Sequence, residues 1–125
     1  MPIIEHRTAP EIPWRPAYRM WELAGAKDGM SSSLSLSVVG AGAGAPLHAH
    51  RDDELIVVLD GILEVRLGQE VHRVGADHTV AIPPDVPHSF TSVGEKAARV
   101  LIFFPVAYPF EGTTYLEGSP PQSLG

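Results

Sequence analysis

Three histidines and one glutamate have the types and the spacing of a metal site. His48 and His50 are two residues apart, so on a strand both side chains point to the same face and offer two imidazole nitrogens to one ion. Glu54 follows a short bend and can return on the neighbouring strand, while His88 follows a proline turn that fixes where its strand begins. Three nitrogen donors and one anionic oxygen suit Fe(II), Mn(II), Ni(II), Cu(II) or Zn(II), whereas Mg²⁺ and Ca²⁺ prefer oxygen shells. An H-x-H pair alone is a weak signal, and Glu54 and the surrounding glycines strengthen it.

The composition excludes several classes of protein. A chain of 125 residues fits one domain. It has no cysteine, which excludes disulfides and zinc–thiolate sites and fits a cytoplasmic location. A net charge of −6 without a basic cluster argues against nucleic-acid binding. The longest apolar runs, 55–59 and 100–104, are far shorter than the roughly 20 residues of a membrane span, and the N-terminus does not have the pattern of a signal peptide.

The elements that must position these side chains are short strands. Residues 31–39 alternate sharply, with Leu34, Leu36 and Val38 on one face and serines on the other. Eight to ten such strands, separated by Gly and Pro turns, predict an all-β antiparallel barrel or sandwich. We divide the chain into an extended arm (1–17, with one short strand at Ile3–Ile4), a barrel (18–108) and a C-terminal loop (109–125).

The predicted substrate pocket is mainly apolar. Phe90 lies two residues after His88, and Ile56 and Val58 follow Glu54 at a period of two, so all three should point inward with the metal ligands. Core packing explains Phe90 equally well. None of the cations on the predicted barrel strands is placed inside, which disfavours a strongly anionic substrate; these cations are Arg66, Arg73 and Arg99.

The segment from Gly42 to Gly61 resembles the first motif of the cupin superfamily at every defined position. The second motif is matched more loosely by residues 82–90. The family usually has Gly where this chain has Asp77 and Asp85, and it usually has Asn where this chain has Ser92. Because Asp tolerates turn conformations, we expect the fold to survive these changes. The resemblance covers residues 42–92 and implies a small jelly-roll barrel whose mouth holds one divalent transition metal on four ligands, which are His48, His50, Glu54 and His88.

The resemblance makes a metalloenzyme the leading hypothesis. The first subclass is a dioxygenase-type oxidoreductase acting on a small apolar or aromatic molecule, and the second is a metal-dependent isomerase, lyase or cyclase. Glu54 either stays a ligand or shifts to act as a base. The contrasting hypothesis is a non-catalytic small-molecule binder or sensor. Exposed sheet edges, the proline-rich arm and the family resemblance predict a homodimer in which the arm or an edge strand pairs across subunits.

Overall fold

A computed structural model describes residues 2–122. Met1 and residues 123–125, at the ends of the predicted arm and tail, lie outside the described residues. Within the described part the chain is built from strands, joined by turns and short 3₁₀ segments at His6–Thr8, Ala26–Asp28 and Pro109–Gly112. The strands are β1 Glu11–Arg15, β2 Tyr18–Ala24, β3 Ser33–Val39, β4 Gly44–Ala49, β5 Glu54–Asp60, β6 Leu63–Leu67, β7 Glu70–Val74, β8 His78–Ile82, β9 His88–Ser92, β10 Ala98–Phe104 and β11 Thr114–Tyr115.

The strands form two antiparallel sheets. One has the order β1-β2-β3-β10-β5-β8 and the other β11-β4-β9-β6-β7. Neighbours that are distant in sequence, such as β3 beside β10 and β4 beside β9, give the crossed connections of a jelly roll. The predicted all-β antiparallel jelly-roll fold is therefore confirmed. Within residues 2–122 no helix is long and apolar enough to cross a bilayer.

The core lies between the two sheets and follows the period of two. On β5, Ile56 and Val58 are buried, whereas Leu55 and Leu59 face outward. On β10, the residues from Ala98 to Phe104 alternate in the same way, so that Phe104 faces in and Phe103 faces out. Burying an Ile or Val side chain fully contributes about 1.5–3 kcal/mol, and this term holds the two sheets together at a fixed spacing.

Strand β3 presents its serine face to the interior. Ser37 is fully buried, and its hydroxyl donates to the Tyr18 hydroxyl at 3.4 Å. Leu34, Leu36 and Val38 are half-buried on the opposite face. At Leu36 and Val38 the apolar side of this strand therefore faces away from the interior. Serine is tolerated inside because its hydroxyl has a partner there.

Both predicted flanking segments contain strands. Within the predicted arm, β1 pairs with β2 of the same chain, while Ile3–Ile4 has no strand. Pro13 is accommodated because β1 is an edge strand that needs fewer ladder hydrogen bonds. The predicted C-terminal loop contains a 3₁₀ turn, and its Thr114–Tyr115 strand pairs with β4. The predictions of an extended arm and a C-terminal loop were thus incomplete. Both segments contain a short strand that is held in place by pairing with another strand of the chain.

Two turns use aspartate in a conformation that favours glycine. Asp77 and Asp85 have φ values of 67° and 66°, in the left-handed region. The Asp85 amide donates to the His50 carbonyl at 2.8 Å and so ties this turn to the predicted metal ligands. The expectation that Asp would replace Gly here without loss of the fold agrees with this geometry. Gly61, with φ of 84° and an ideal Cβ position only 2.6 Å from the Ala98 Cα, has no such alternative.

Candidate metal centre

Three strand ends bring the four predicted ligands together. His48 lies near the end of β4, and its cross-strand partner is His88, the first residue of β9. His50 follows β4 directly, and Glu54 is the first residue of β5. One ligand atom from each residue lies within 4.8 Å of all the others, and the four residues are between 1% and 9% exposed. The site is therefore compact and shielded from solvent by the barrel walls.

Each histidine is oriented by a backbone carbonyl two residues away. The Nδ1 of His48 donates to the Pro46 carbonyl oxygen at 2.7 Å. The Nδ1 of His50 donates to the Asp52 oxygen at 2.9 Å, and the Nδ1 of His88 donates to the Val86 oxygen at 2.8 Å. These short contacts fix the neutral tautomer with its proton on Nδ1, so Nε2 keeps a lone pair. Such an orienting hydrogen bond at the other ring nitrogen is typical of metal-ligating histidines.

The Nε2 atoms face a carboxylate oxygen that also carries lone pairs. Glu54 Oε1 lies 3.0 Å from Nε2 of His50 and 3.1 Å from Nε2 of His88. A neutral imidazole has one N–H, and in both rings a backbone carbonyl already takes it. Either the rings bind extra protons, or a cation lies among the Nε2 and Oε1 atoms. The donor set, three imidazole nitrogens and one carboxylate, fits a divalent transition metal.

The ionisation of these groups also fits metal binding. Burial, together with the charge of His88, lowers the pKa of His48 to about 4, so this imidazole is neutral near pH 7. Burial opposes ionisation of Glu54, but its contacts with His50 and His88 outweigh burial and lower its pKa to about 2. Burial likewise opposes protonation of His50, while Glu54 raises its pKa overall. A carboxylate with so low a pKa is a good ligand and a weak proton acceptor.

A small cavity of about 40 Å³ lies beside the ligand cluster. His48 and Glu54 form one part of its wall, and Tyr115 stacks on the His48 ring with centroids 5.6 Å apart. We call this space the inner cavity. A volume near that of one or two water molecules admits a single functional group and not a whole substrate.

A larger cavity of about 610 Å³, which we call the outer cavity, adjoins it. Trp14 and Phe110 are 5.1 Å apart, Phe110 and Phe104 are 5.5 Å apart, and Phe104 contacts the His50 ring edge to face at 5.3 Å. Aromatic rings thus lead from the outer cavity to the ligand cluster. Five side chains line both cavities, and these are Trp14, Met20, Ser35, Phe104 and Phe110.

The predicted pocket residues are divided between two places. Phe90 lines the inner cavity, 4% exposed, with its ring 6.0 Å from that of Tyr18. Ile56 and Val58 point inward as expected, but both are fully buried in the core and line neither cavity. They lie further along β5 than Glu54, so they pack between the sheets and not at the open end.

The sequence-based reading missed the residues that reach the site from the flanking segments. Trp14 and Arg15 come from the predicted arm, and Phe110 and Tyr115 come from the predicted loop. The concentration of Trp and Tyr near the N-terminus, at positions 14, 18 and 21, was the available signal in the sequence. Only the pairing of β1 with β2 and of β11 with β4 brings these side chains to the barrel mouth.

Comparison with known proteins identifies related chains. A segment of 72 residues is 33% identical to polyketide synthase CurC of Streptomyces cyaneus, covering 57% of this chain and 47% of that protein. This chain therefore spans about half the length of that relative. The polyketide cyclase RemF of Streptomyces resistomycificus superimposes with a TM-score of 0.78 at 20% identity, covering 98% of this chain and 90% of that one. An oxalate oxidase superimposes with a TM-score of 0.67 at 21% identity, covering 80% of this chain and 55% of that one.

The family model described as the cupin domain matches residues 35–104. This range begins on β3, ends on β10 and contains all four clustered ligands. The match covers more than half of the chain, and it agrees with the jelly-roll topology and the buried His/His/Glu/His cluster. The chain belongs to the cupin domain family.

Proposed function

We propose that this cupin binds one divalent transition metal through His48, His50, Glu54 and His88 and acts as a metal-dependent cyclase on a polyketide-like, aromatic-forming substrate. The observation that carries the proposal is the aromatic-lined outer cavity next to the buried ligand cluster. Two similar proteins are named as a polyketide synthase and a polyketide cyclase, and these names favour a cyclase over the oxidoreductase that the sequence analysis ranked first.

The two cavities suit a substrate with a flat apolar body and one reacting oxygen group. The outer cavity has the volume of a small-molecule pocket, and Trp14 and Phe110 offer ring faces for stacking. The inner cavity has room for one carbonyl or hydroxyl group beside His48 and Glu54. A ring system held in the outer cavity would thus present an oxygen to the metal ligands.

Cyclisation of a polyketone chain joins an enolised carbon to a ketone carbonyl and releases water. A bound divalent ion would supply Lewis-acid polarisation of a carbonyl oxygen. The chain's own contribution is to fold the substrate between aromatic walls, to exclude bulk water, and to hold Glu54 ionised as a ligand. A role for Glu54 as the base is less favoured, because its pKa is far below neutrality.

A dioxygenase-type oxidoreductase is the second candidate. The structural likeness to an oxalate oxidase favours it, as does a ligand set that suits redox-active metals. The two reactions differ in one measurable quantity, since a dioxygenase consumes O₂ and an aldol cyclisation does not. Oxygen uptake measured during turnover by the metal-loaded protein therefore separates them.

Trp14 provides a direct test of the outer cavity. A tricyclic hydroxyanthraquinone, which resembles a cyclised aromatic polyketide, should quench Trp14 fluorescence in a saturable manner. Trp21 lies on β2 and lines neither cavity, so quenching should persist in Trp21→Phe and disappear in Trp14→Phe. Absence of saturable quenching in the wild type would reject an aromatic-binding cavity.

A synthetic linear polyketone then tests catalysis. We expect the metal-loaded wild type to convert it to a ring product without O₂ uptake, and His88→Ala to lose this conversion. Binding of the anthraquinone without turnover of any such polyketone would instead favour the non-catalytic small-molecule binder.

We also propose that the protein is a homodimer. The outer face of the six-stranded sheet is largely apolar and partly exposed, with Arg19 and Arg99 beside Val38 at one end. Its large apolar side chains are Trp21, Leu34, Leu36, Val38, Leu55, Val57, Leu59, Leu101 and Phe103. Six strands about 4.8 Å apart and about six residues long make a face of roughly 600 Å², which approaches the ~800 Å² per partner of a standard interface. A second copy of the same face would cover it.

Sedimentation velocity tests the homodimer at micromolar concentration. We expect a dimer for the wild type and for Val71→Glu, a substitution on the exposed part of the other sheet, and a monomer for Leu36→Glu. A monomeric wild type would reject the proposal. The cytoplasmic location inferred from the lack of cysteine stays a prediction.

A further inference from the structure

A cationic side chain lies in the wall of the inner cavity. Arg15, the last residue of β1, lines this cavity together with His48, Glu54 and Tyr115. It is absent from the wall of the larger, aromatic outer cavity. The sequence placed no cation inside the barrel, because Arg15 lay in the predicted arm. Its position changes which substrates the site can accept.

An irregularity in β1 directs Arg15 inward. Ile12 pairs with Met20, and Arg15 pairs with Tyr18, so the two intervening residues of β1 oppose a single residue of β2, Arg19. In a regular strand Ile12 and Arg15 would face opposite sides, yet both are opposite buried residues of β2. A β-bulge re-aims a side chain in this way and is frequent next to functional sites.

The charge of Arg15 has no anionic partner among residues 2–122. Its Nε is buried without a hydrogen-bond partner there, and none of the ion pairs within this part of the chain includes it. Its guanidinium lies 5.7 Å from the Tyr115 ring centroid and also interacts with the Tyr115 hydroxyl, a neutral group whose pKa is raised by burial. Glu54, the carboxylate of the same cavity, is engaged by His50 and His88.

The Arg15 side chain is half-buried, and a donor that is shielded from water, as its Nε is, is costly unless a partner compensates it. The planar guanidinium is always charged and presents several N–H donors, which match an anionic oxygen. The inner cavity has room for one such group, and the same space borders the ligands His48 and Glu54. An oxygen bound there would contact Arg15 on one side and lie near the metal ligands on the other.

We infer that Arg15 binds the anionic oxygen of the substrate, an enolate or phenolate, in the inner cavity. This inference rests on the proposed function, because the aromatic or polyketone body must occupy the outer cavity. In a cyclisation the proton that leaves the neighbouring carbon passes to solvent and is replaced on the alkoxide that forms at the attacked carbonyl, and in between the enolate oxygen carries the negative charge. Arg15 would stabilise that charge as a substrate-positioning group, and Tyr115 would hold the guanidinium in place.

The test compares a phenol that ionises near neutral pH, 4-nitrophenol, with its neutral methyl ether, 4-nitroanisole. Equilibrium dialysis of zinc-loaded protein, carried out at a pH above the pKa of the phenol, gives the ratio of the two Kd values. In Arg15→Met we expect the preference for the phenolate to fall by about 10- to 100-fold, as for loss of a charge-assisted hydrogen bond, with little change for the ether. Arg15→Lys should recover part of the preference.

Arg19→Met is the matched control, because Arg19 is exposed on β2 and pairs with Glu11 at 2.7 Å. It should leave the ratio unchanged. If both compounds bind and Arg15→Met keeps the wild-type ratio, the inference is overturned while the aromatic cavity stands. If the wild type binds neither compound, both proposals fall. Should Arg15→Met not fold, Arg15→Gln removes the charge and makes the same comparison.

Discussion

Replacing His88 with alanine is the sharpest test of the metal centre. His88 is 1% exposed, and its Nδ1 is fixed by the Val86 carbonyl while its Nε2 faces the Glu54 carboxylate. Alanine removes one of four ligands and leaves the other three on β4, the following turn and β5. We expect the variant to fold, because the core between the sheets does not depend on this ring, and to lose most of its metal affinity.

The magnitude follows from the linkage of metal binding to folding. Free metal at 1,000 times Kd stabilises the folded wild type by about 4 kcal/mol, because the unfolded chain lacks the preformed site. Unfolding entropy of about 2.1 cal/mol/K per residue over 125 residues converts this into a Tm increase of about 15 °C. Loss of a partner that orients a metal-bound histidine costs 10- to 100-fold in affinity, so loss of the ligand itself should cost at least about 100-fold. The increase should then shrink to about 5 °C.

The assay is thermal unfolding of untagged protein, first stripped by a chelator and then titrated with Zn(II) or Mn(II). Elemental analysis should show about one metal ion per wild-type chain. His72→Ala is the matched control, since His72 has a half-exposed side chain on β7, the edge strand two positions away from β9 in the same sheet. An equal Tm increase in wild type and His88→Ala would refute the assignment of the ligands.

Three further predictions concern stability, each measured by urea unfolding of the metal-free protein. The pKa of His48 falls from 6.5 to about 4 on folding, so between these pH values the unfolded chain binds a proton that the folded chain does not. The contribution of His48 to the free energy of unfolding, taken as the difference from His48→Gln, should therefore drop by about 2 kcal/mol from pH 7 to pH 5. A difference that does not change with pH would contradict this prediction. Asp85→Gly should stabilise the protein by about 0.5 kcal/mol by relieving a left-handed φ of 66°, whereas Asp52→Gly, with no such strain, should not. Ser92→Ala should be neutral or stabilising by up to about 1 kcal/mol, because the buried Ser92 hydroxyl lacks a partner among residues 2–122, and a clear loss would reveal one.

Local spacing together with the resemblance to the two cupin motifs was enough to predict the ligand cluster. His48 and His50 share a strand face whatever their partners, and the motif from Gly42 to Gly61 specifies a bend that returns Glu54 to them. The glycine at 61 is needed because its φ is positive and a neighbouring strand approaches closely. Period-two patterns likewise predicted an all-β fold, since alternation reports which strands have one buried face.

Alternation does not say which face is buried. On β3 the leucine face is the obvious candidate for the interior, yet Ser37 is inside and Leu36 outside, because Tyr18 supplies a hydrogen bond and the outer face of the sheet is itself apolar. The same limit applies to Ile56 and Val58, which were correctly placed inward but lie too deep to reach either cavity.

Sequence by itself thus determined the fold class, the family and the residues that converge as candidate ligands, because these depend on period-two spacing and on two short motifs, one at 42–61 and one at 82–90 that contains His88. The tertiary structure alone decided what surrounds that cluster. Trp14 and Arg15 reach the barrel through a bulged edge strand, and Phe110 and Tyr115 reach it through a returning C-terminal segment. Such contacts join residues up to a hundred positions apart, and no local pattern encodes them, because they arise from strand pairing between the two ends of the chain.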